Sequence, residues 1–82
     1  MTKAGKLVEA MRRNLAGDWV IADIQRLCAQ LGWEFIAPAH GSHWKVVVPG
    51  RATNVTIPAR RPIKPVYIRK LLAMIDEAAS DG

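Results

Sequence analysis

The sequence predicts a small α+β domain in which helices cover one face of a three-stranded antiparallel sheet and leave the other face exposed. Apolar residues recur at intervals of three and four before residue 32 and after residue 65, which indicates helices. Between these regions, short β-rich runs are closed by proline and joined by loops of a few residues, which favours an antiparallel meander. The order helix, helix, three strands, helix therefore predicts two layers.

Two helices are predicted before the sheet. Leu7, Val8 and Met11 have helical spacing within residues 3–14. A second apolar set recurs until Gly32, a residue suited to a helix C-cap. This second set comprises Ile21, Ile24, Leu27, Cys28 and Leu31.

Three strands and a last helix complete the predicted order. The strands are residues 33–37, 42–48 and 54–57, and a proline follows each of them. The helix is expected from Pro65, which fits the first turn of a helix, to about Ala79. Its predicted buried stripe consists of Ile68, Leu71, Leu72 and Ile75.

A chain of 82 residues is expected to form one domain, with residues 1–17 as a helical extension and residues 18–79 as the core unit. Such a chain buries only about 60 to 65% of the surface that its unfolded form exposes. Half of its residues are hydrophobic and 23% are charged, which is ordinary for a folded domain. The small core disfavours an elaborate catalytic cavity, so any catalysis would rely on few residues.

The net charge of +5 is concentrated in one part of the sequence. Residues 1–34 have a net charge of +1, residues 35–75 contain seven Lys and Arg but no acid, and residues 76–82 contribute −3. The acid-free stretch has no neighbour in sequence that could neutralise it. A polyanionic partner is therefore expected, and nucleic acid is the leading candidate.

Cysteine usage and the lack of targeting segments predict a cytoplasmic protein. Cys28 cannot form an internal disulfide and lies on an apolar helical stripe, so we expect a buried thiol in a reducing compartment. No run approaches the roughly 18 apolar residues of a membrane span, and no apolar segment follows the charged N-terminus. No membrane association is expected.

The tripeptide Gly41-Ser42-His43, at the start of the second predicted strand, resembles a motif of the HicA toxins. Other features follow the order found in that family, and the resemblance covers about residues 21–75. These features are Leu31-Gly32-Trp33, Thr56-Ile57-Pro58, a basic loop ending at Lys64 and the helical segment Ile68-Arg69-Lys70-Leu71-Leu72.

HicA toxins are small ribonucleases that cut messenger and related RNAs and arrest growth until a HicB antitoxin binds and blocks them. Their fold is the α-β-β-β-α arrangement of double-stranded-RNA-binding domains, so the resemblance implies that fold here, with an extra N-terminal helix. It also implies that His43 is the catalytic residue, that messenger RNA is the substrate and that a HicB-like antitoxin is the protein partner. No cofactor is expected.

The sequence departs from the family pattern at three places. Many relatives have a second histidine directly after the first, where this chain has Trp44. Another frequent histidine, two residues after the proline that ends the third strand, is replaced by Arg60. The helix at residues 3–14 is additional, and it either caps the core or helps to bind the partner.

Elementary chemistry supports a histidine in an RNA-cleaving protein. The 2′-hydroxyl of RNA can attack the adjacent phosphate without a metal, provided that a base removes its proton or an acid protonates the leaving oxygen. Histidine suits either role near neutral pH, and such a group contributes roughly 10² to 10⁴ in rate. Gly41 would allow an unusual backbone approach, and Ser42 would donate to phosphate or end the turn. Whether His43 is base or acid stays open.

Cationic side chains are expected to stabilise the phosphorane and to hold the RNA backbone. The sequence does not rank Lys45 against the residues of the basic loop. That loop precedes a helix N-terminus, whose N–H groups and dipole favour phosphate. The expected RNA contacts are Arg60, Arg61 and Lys64 in the loop, with Arg69 and Lys70 in the helix as further candidates.

The other histidine and the three tryptophans are expected to have mainly structural roles. His40 is expected to be a solvated loop residue, with a role as second acid or base as the alternative, and no Cys or acid stands at metal-ligand spacing. Trp19 is expected between the first two helices and Trp33 in the core. Because side chains alternate along a strand, Trp44 should pack under the helices if His43 faces the open side.

Two other functions stay open from the sequence. A non-catalytic double-stranded-RNA-binding module would use the same fold and charges and would bind by shape without cleavage. A small DNA-binding domain is the least favoured, because no helix-turn-helix pair lies near the basic loop.

Overall fold

The computed structural model describes residues 3–52 and 54–81, and these residues contain three helices and three strands in the predicted order. The helices are α1 (Lys3–Arg13), α2 (Ile21–Leu31) and α3 (Pro65–Asp81). The strands are β1 (Glu34–Ile36), β2 (His43–Val47) and β3 (Asn54–Pro58). The predicted α+β class is confirmed. No helix within these residues has the length and apolar character of a membrane span.

The strands form one antiparallel sheet in the order β1-β2-β3. Phe35 of β1 lies opposite Val46 of the central strand, and Val46 lies opposite Val55 of β3. Because side chains alternate along a strand, these residues share one face of the sheet with the opposed pair Trp44 and Ile57. We call this face the inner face and the opposite one the outer face.

The helices cover the inner face and form a single core with it. Each buried side chain of this size is worth about 1.5–3 kcal/mol relative to an exposed one. Met11 of α1 is fully buried, so α1 caps the core, which was one of the two roles considered for it. The side chains less than 2% exposed are Met11, Ile24, Leu27, Cys28, Val46, Ile57, Ile63, Ile68 and Leu71.

The predicted apolar stripes of the helices are confirmed with small differences. Cys28 is buried as expected, and Met74 is an additional buried residue of α3. Some stripe residues at the margins of the core are only half-buried. They are Leu7, Val8, Ile21, Leu31 and Ile75.

Strand β1 begins one residue later than predicted because of the way α2 ends. Gly32 is the C-cap, as predicted, with a left-handed φ of 76°. The N–H of Trp33 donates to the carbonyl oxygen of Cys28 at 2.9 Å. This helix closure uses the Trp33 N–H that a strand would need, so β1 starts at Glu34.

The other element ends differ from the predictions by one or two residues. In particular, the carbonyl oxygen of Val48 accepts a hydrogen bond from the N–H of Arg51 in the turn after β2, and Val48 lies outside the strand. The observed ends are Arg13 for α1, Ile36 for β1, His43 and Val47 for β2, Pro58 for β3 and Asp81 for α3.

The predicted core packing of Trp33 is confirmed, and strand alternation places Trp44 on the inner face. Trp19 and Trp33 are half-buried and pack against the core. The Trp19 Nε1–H also donates to the carbonyl oxygen of Asn14 at 2.8 Å. Trp44 is half-buried and its ring stacks on Phe35, with 4.8 Å between the ring centroids.

Candidate functional site

The outer face of the sheet carries the residue that was predicted to be catalytic. His43 is the first residue of β2, and Lys45, two positions later, points to the same face; both are exposed. Thr56 of β3 lies opposite Lys45, and Pro58 lies opposite His43. The outer face therefore presents an imidazole and an ammonium group as neighbours on an open surface.

The imidazole of His43 is available to a ligand. Within the described residues its side chain makes no hydrogen bond or ion pair, and the same is true of the exposed His40. No group of three or more His, Cys, Asp or Glu side chains in residues 3–52 and 54–81 could hold a metal ion. The chemistry that these two histidines can supply on their own is proton transfer.

The position of His43 depends on the turn before it. Gly41 has a φ of 80°, in the left-handed region that favours glycine, and no atom lies within 4 Å of where a Cβ would be. A glycine is thus favoured at position 41 by the left-handed backbone conformation, since a side chain there would have enough space. The carbonyl oxygen of Ser42 accepts a hydrogen bond from the N–H of Ala59 at 2.7 Å, which holds the start of β2 against the end of β3.

The basic loop leaves β3 at the same end of the sheet as His43. Its exposed residues Arg60 and Arg61 line a cleft of about 170 Å³ together with Ala59 and residues 20–22 at the start of α2. The loop is anchored by Ile63, which is fully buried and whose N–H donates to the carbonyl oxygen of Trp19 at 2.8 Å. We call Lys45, Arg60 and Arg61 the sheet-end cations.

The cleft adds a second helix N-terminus to the expected surroundings of the basic loop. Sequence order placed the loop beside the N-terminus of α3, and Lys64 does directly precede that helix. The two arginines, however, lie beside the N-terminus of α2, which is distant in sequence. One N–H at that helix start is already used, because Val20 donates to Asp23 Oδ2 at 3.0 Å.

Arg69 and Lys70 belong to the helix layer and not to the outer face. Arg69 lines a groove with Arg12 of α1 and Asp76 of α3. The Nζ atom of Lys70 lies 5.9 Å from the ring centroid of Tyr67. The structure therefore groups Arg60 and Arg61 with His43 but does not bring Arg69 and Lys70 to it.

Arg12, Arg13 and Arg26, all in the helices, form ion pairs with acids of the helices. The guanidinium of Arg12 donates hydrogen bonds to the Asp76 carboxylate, and this contact raises the pKa of Arg12 and lowers the pKa of Asp76. In the described part of the chain the sheet-end cations take part in no ion pair. The other pairs, each within one helix, are Arg13 with Glu9 at 3.8 Å and Arg26 with Asp23 at 3.9 Å.

Cys28 takes no part in the chemistry of this surface. Its side chain is 1% exposed, and burial raises the pKa of the thiol to about 11. The thiolate is the reactive form of cysteine, so a thiol that stays protonated at neutral pH is a structural residue.

Sequence reasoning named Thr56 only as part of a strand segment and missed both its place opposite Lys45 and the cleft at the start of α2. Alternation places Thr56 on the outer face, but its position opposite Lys45 depends on the strand register, which a single strand does not encode. The cleft joins residues 20–22 to residues 59–61, and no local sequence signal marks that contact.

Comparisons with protein-family models, with curated proteins and with solved structures gave no match. The candidate site is therefore defined by its own geometry: one exposed imidazole, a neighbouring lysine and two loop arginines at one end of an open sheet face.

Proposed function

We propose that the protein is a metal-independent endoribonuclease toxin of the HicA type, in which His43 performs acid–base catalysis on messenger RNA. The observation that carries this proposal is the exposed and unpaired His43 on the outer face, beside Lys45 and at the sheet end where Arg60 and Arg61 lie. An RNA backbone can reach an open sheet face without a cavity. A small core is therefore no obstacle to this activity.

The arrangement of elements supports a fold like that of double-stranded-RNA-binding domains for residues 18–79. α2, the three strands and α3 follow the order α-β-β-β-α, with helices on one face of an antiparallel sheet. α1 is an addition to that arrangement. The exposed sheet face and the acid-free charge pattern agree with an RNA ligand.

In the proposed reaction the 2′-oxygen of the substrate attacks the adjacent phosphorus, and the bond from phosphorus to the 5′-oxygen breaks. The 2′-hydroxyl loses a proton and the leaving 5′-oxygen gains one. The products are a 2′,3′-cyclic phosphate and a 5′-hydroxyl. His43 performs one of these two proton transfers and water completes the other, so no metal or cofactor is required.

The sheet-end cations stabilise the charge that develops on the phosphorane. Lys45 lies on the same strand face as His43 and is the cation placed directly beside it. Arg60 and Arg61 offer planar guanidinium groups, which bind phosphate oxygens in pairs, and they hold the flanking backbone. Ser42, directly before His43, and Lys64, directly before α3, are exposed as well.

The proposed protein partner is a HicB-like antitoxin, and the proposed compartment is the cytoplasm, where messenger RNA is available. An acidic or strand-forming partner that covers the outer face would occlude His43 and neutralise the sheet-end cations. β1 and β3 are the edge strands of the sheet and could extend it with a strand from the partner.

Cleavage by purified wild type and His43→Ala tests the proposal. A structured messenger RNA labelled at its 5′ end is incubated in the presence of EDTA, and fragments are examined for 2′,3′-cyclic phosphate ends. We expect His43→Ala to cut at least about 100-fold more slowly, since it lacks the general acid or base. The matched control is His40→Ala, which removes a nearby exposed imidazole and should cut like wild type.

Three results would contradict the proposal: equal cleavage by His43→Ala, cleavage abolished by EDTA, or RNA that is shifted in a gel but never shortened. The last result would identify a non-catalytic double-stranded-RNA-binding module. Induced expression with growth and RNA integrity followed together checks the toxin role, which predicts arrest by wild type and normal growth with His43→Ala.

A further inference from the structure

A groove between α1 and α3 has no part in the proposed reaction. It lies in the helix layer, whereas His43 and Lys45 face the other side of the sheet. Its volume is about 380 Å³. The residues that line it are Arg12 and Leu15 from the end of α1 and the following loop, and Arg69, Leu72, Ala73 and Asp76 from α3.

The groove has an apolar floor, and a further exposed apolar side chain lies beyond it on α3. Leu72 is 5% exposed, and Ala73 is exposed at the groove surface. Val66 lies one helical turn before Arg69 and is 45% exposed, so it is one of two large hydrophobic side chains exposed in the described part of the chain. Residues 66, 69, 73 and 76 follow helical spacing and form one stripe about 15 Å long.

The rim of the groove carries one cation without a counter-ion. Both carboxylate oxygens of Asp76 are bound by Arg12. Arg69 makes no ion pair or hydrogen bond within residues 3–52 and 54–81. A ligand in the groove therefore meets the apolar side chains of Leu72 and Ala73 and an unpaired guanidinium, while the acid of the stripe is already neutralised.

We propose that this groove docks an amphipathic helix of a protein partner, whose apolar side chains cover Val66 and Ala73 and whose carboxylate pairs with Arg69. Helices that bind in grooves anchor apolar residues at intervals of three, four and seven, and the two exposed apolar residues of the stripe, Val66 and Ala73, are seven residues apart on α3. Charge complementarity selects an acidic helix. A second copy of this chain is the less suitable occupant, because it would bring a second Arg69 and a further net charge of +5 to the interface.

This docking site is separate from the ribonuclease proposal and does not depend on it. A partner held by its helix in the groove leaves the outer face uncovered, so docking and RNA contact are compatible. α1 supplies one wall of the groove through Arg12, which gives the N-terminal helix a binding role in addition to capping the core.

A display library of helical peptides tests the proposal without knowledge of the natural partner. The peptides are about 15 residues long, which covers the stripe, and carry a fixed apolar stripe with randomised flanking positions. Selection on the full-length protein should enrich Asp or Glu at positions that flank the apolar stripe. Selected peptides should bind Ala73→Arg at least about tenfold more weakly, because arginine fills the floor of the groove.

Ala29→Arg is the matched control, since it makes the same change at an exposed position on α2. Its affinity for the peptides should equal that of wild type. Arg69→Glu should weaken binding about fivefold, and a peptide with Lys in place of its acid should recover the loss. Circular dichroism checks the fold of each variant. If Ala73→Arg does not fold, the charge exchange between Arg69→Glu and the Lys-substituted peptide is sufficient to test the proposal.

Four results would overturn the proposal: equal binding to Ala73→Arg, enrichment of basic helices, a concentration-dependent dimer of wild type that Ala73→Arg abolishes, or binding of anionic lipid vesicles that Ala73→Arg abolishes. The third result would make a second copy the occupant, and the fourth would make it a membrane surface. Sedimentation velocity and vesicle flotation provide these two measurements.

Discussion

The two faces of the sheet differ in burial and in the partners of their side chains. Val46 and Ile57 on the inner face are fully buried, whereas their neighbours Lys45 and Thr56 on the outer face are exposed. A step of one residue along a strand therefore separates a position that maintains the fold from one that can meet a ligand. Stability and activity should be separable by substitutions at adjacent positions.

The charges show the same division. Arg12 in the helix layer is paired with Asp76, while the sheet-end cations form no ion pair in the described residues. Exposed ion pairs contribute little to stability, so the pairing in the helix layer mainly reduces its attraction for anions. At the sheet end a polyanion meets several cations without counter-ions, whereas in the groove of the helix layer Arg69 is unpaired beside the neutralised Arg12 and Asp76.

Ile57→Ala and Thr56→Ala should show the largest contrast between the two faces. Ile57 is fully buried, so its truncation leaves a cavity and should lower the free energy of unfolding by about 2–5 kcal/mol. Thr56 is exposed on the same strand, and its substitution should cost less than about 1 kcal/mol. Urea denaturation measures both, and equal losses would contradict the assignment of the faces.

Gly41→Ala and Gly32→Ala compare the turn at the site with a turn away from it. Both glycines have a left-handed φ, 80° and 76°, and open space around a Cβ, so each substitution should cost about 1 kcal/mol. RNA cleavage should fall only in Gly41→Ala, because that turn sets the start of β2 at His43. Unfolding and cleavage assays on both variants check this. An equal loss of cleavage in both would show that the turn at Gly41 has no particular role in positioning His43.

Arg61→Gln and Arg69→Gln compare the sheet end with the helix layer. If Arg61 contacts a phosphate, its loss should reduce the slope of log affinity against log salt by about 0.7 to 0.9. Arg69→Gln removes the same charge from the helix-layer groove and should leave the slope unchanged. Filter binding to RNA over about 50 to 200 mM salt provides the measurement. A smaller slope for Arg69→Gln than for Arg61→Gln would place the RNA on the helix layer.

Asp76→Asn should have the smallest effect, and that effect depends on pH. Arg12 lowers the pKa of Asp76 below its ordinary value of 3.8, so the stabilisation is complete above that value and is lost as pH falls through the lowered pKa. Thermal melts should show wild type slightly more stable than the variant at neutral pH, with the difference shrinking below about pH 3.8. Asp18→Asn removes an exposed acid without an ion pair in the described residues and should show no such dependence.

Most of the fold could be predicted because its signals are local. The helical spacing of Ile24, Leu27 and Cys28, the C-cap at Gly32 and the prolines after the strands each act within a few residues. The start of β1 could not be predicted, because the Trp33 N–H is taken by the closure of α2. That competition between a helix end and a strand is decided by backbone geometry and not by residue type.

The candidate site was predictable in part. Alternation along β2 is enough to place His43 and Lys45 on one face and Trp44 on the other. The sequence favours Arg61 in the basic loop over Arg69 in the last helix as an RNA contact, but it does not show that the two lie on different surfaces. The structure separates them by placing one beside the start of α2 and the other beside α1.

The sequence alone determined the class of fold, the order of its elements, the cationic stretch and the strand position of His43, because periodicity, turn residues and charge are properties of neighbouring residues. Only the tertiary structure decided the strand register, the cleft between Arg61 and α2, the pairing of Arg12 with Asp76 and the groove along α3. Each of these joins residues far apart in the chain, and such contacts form only when the apolar stripes pack together into one core.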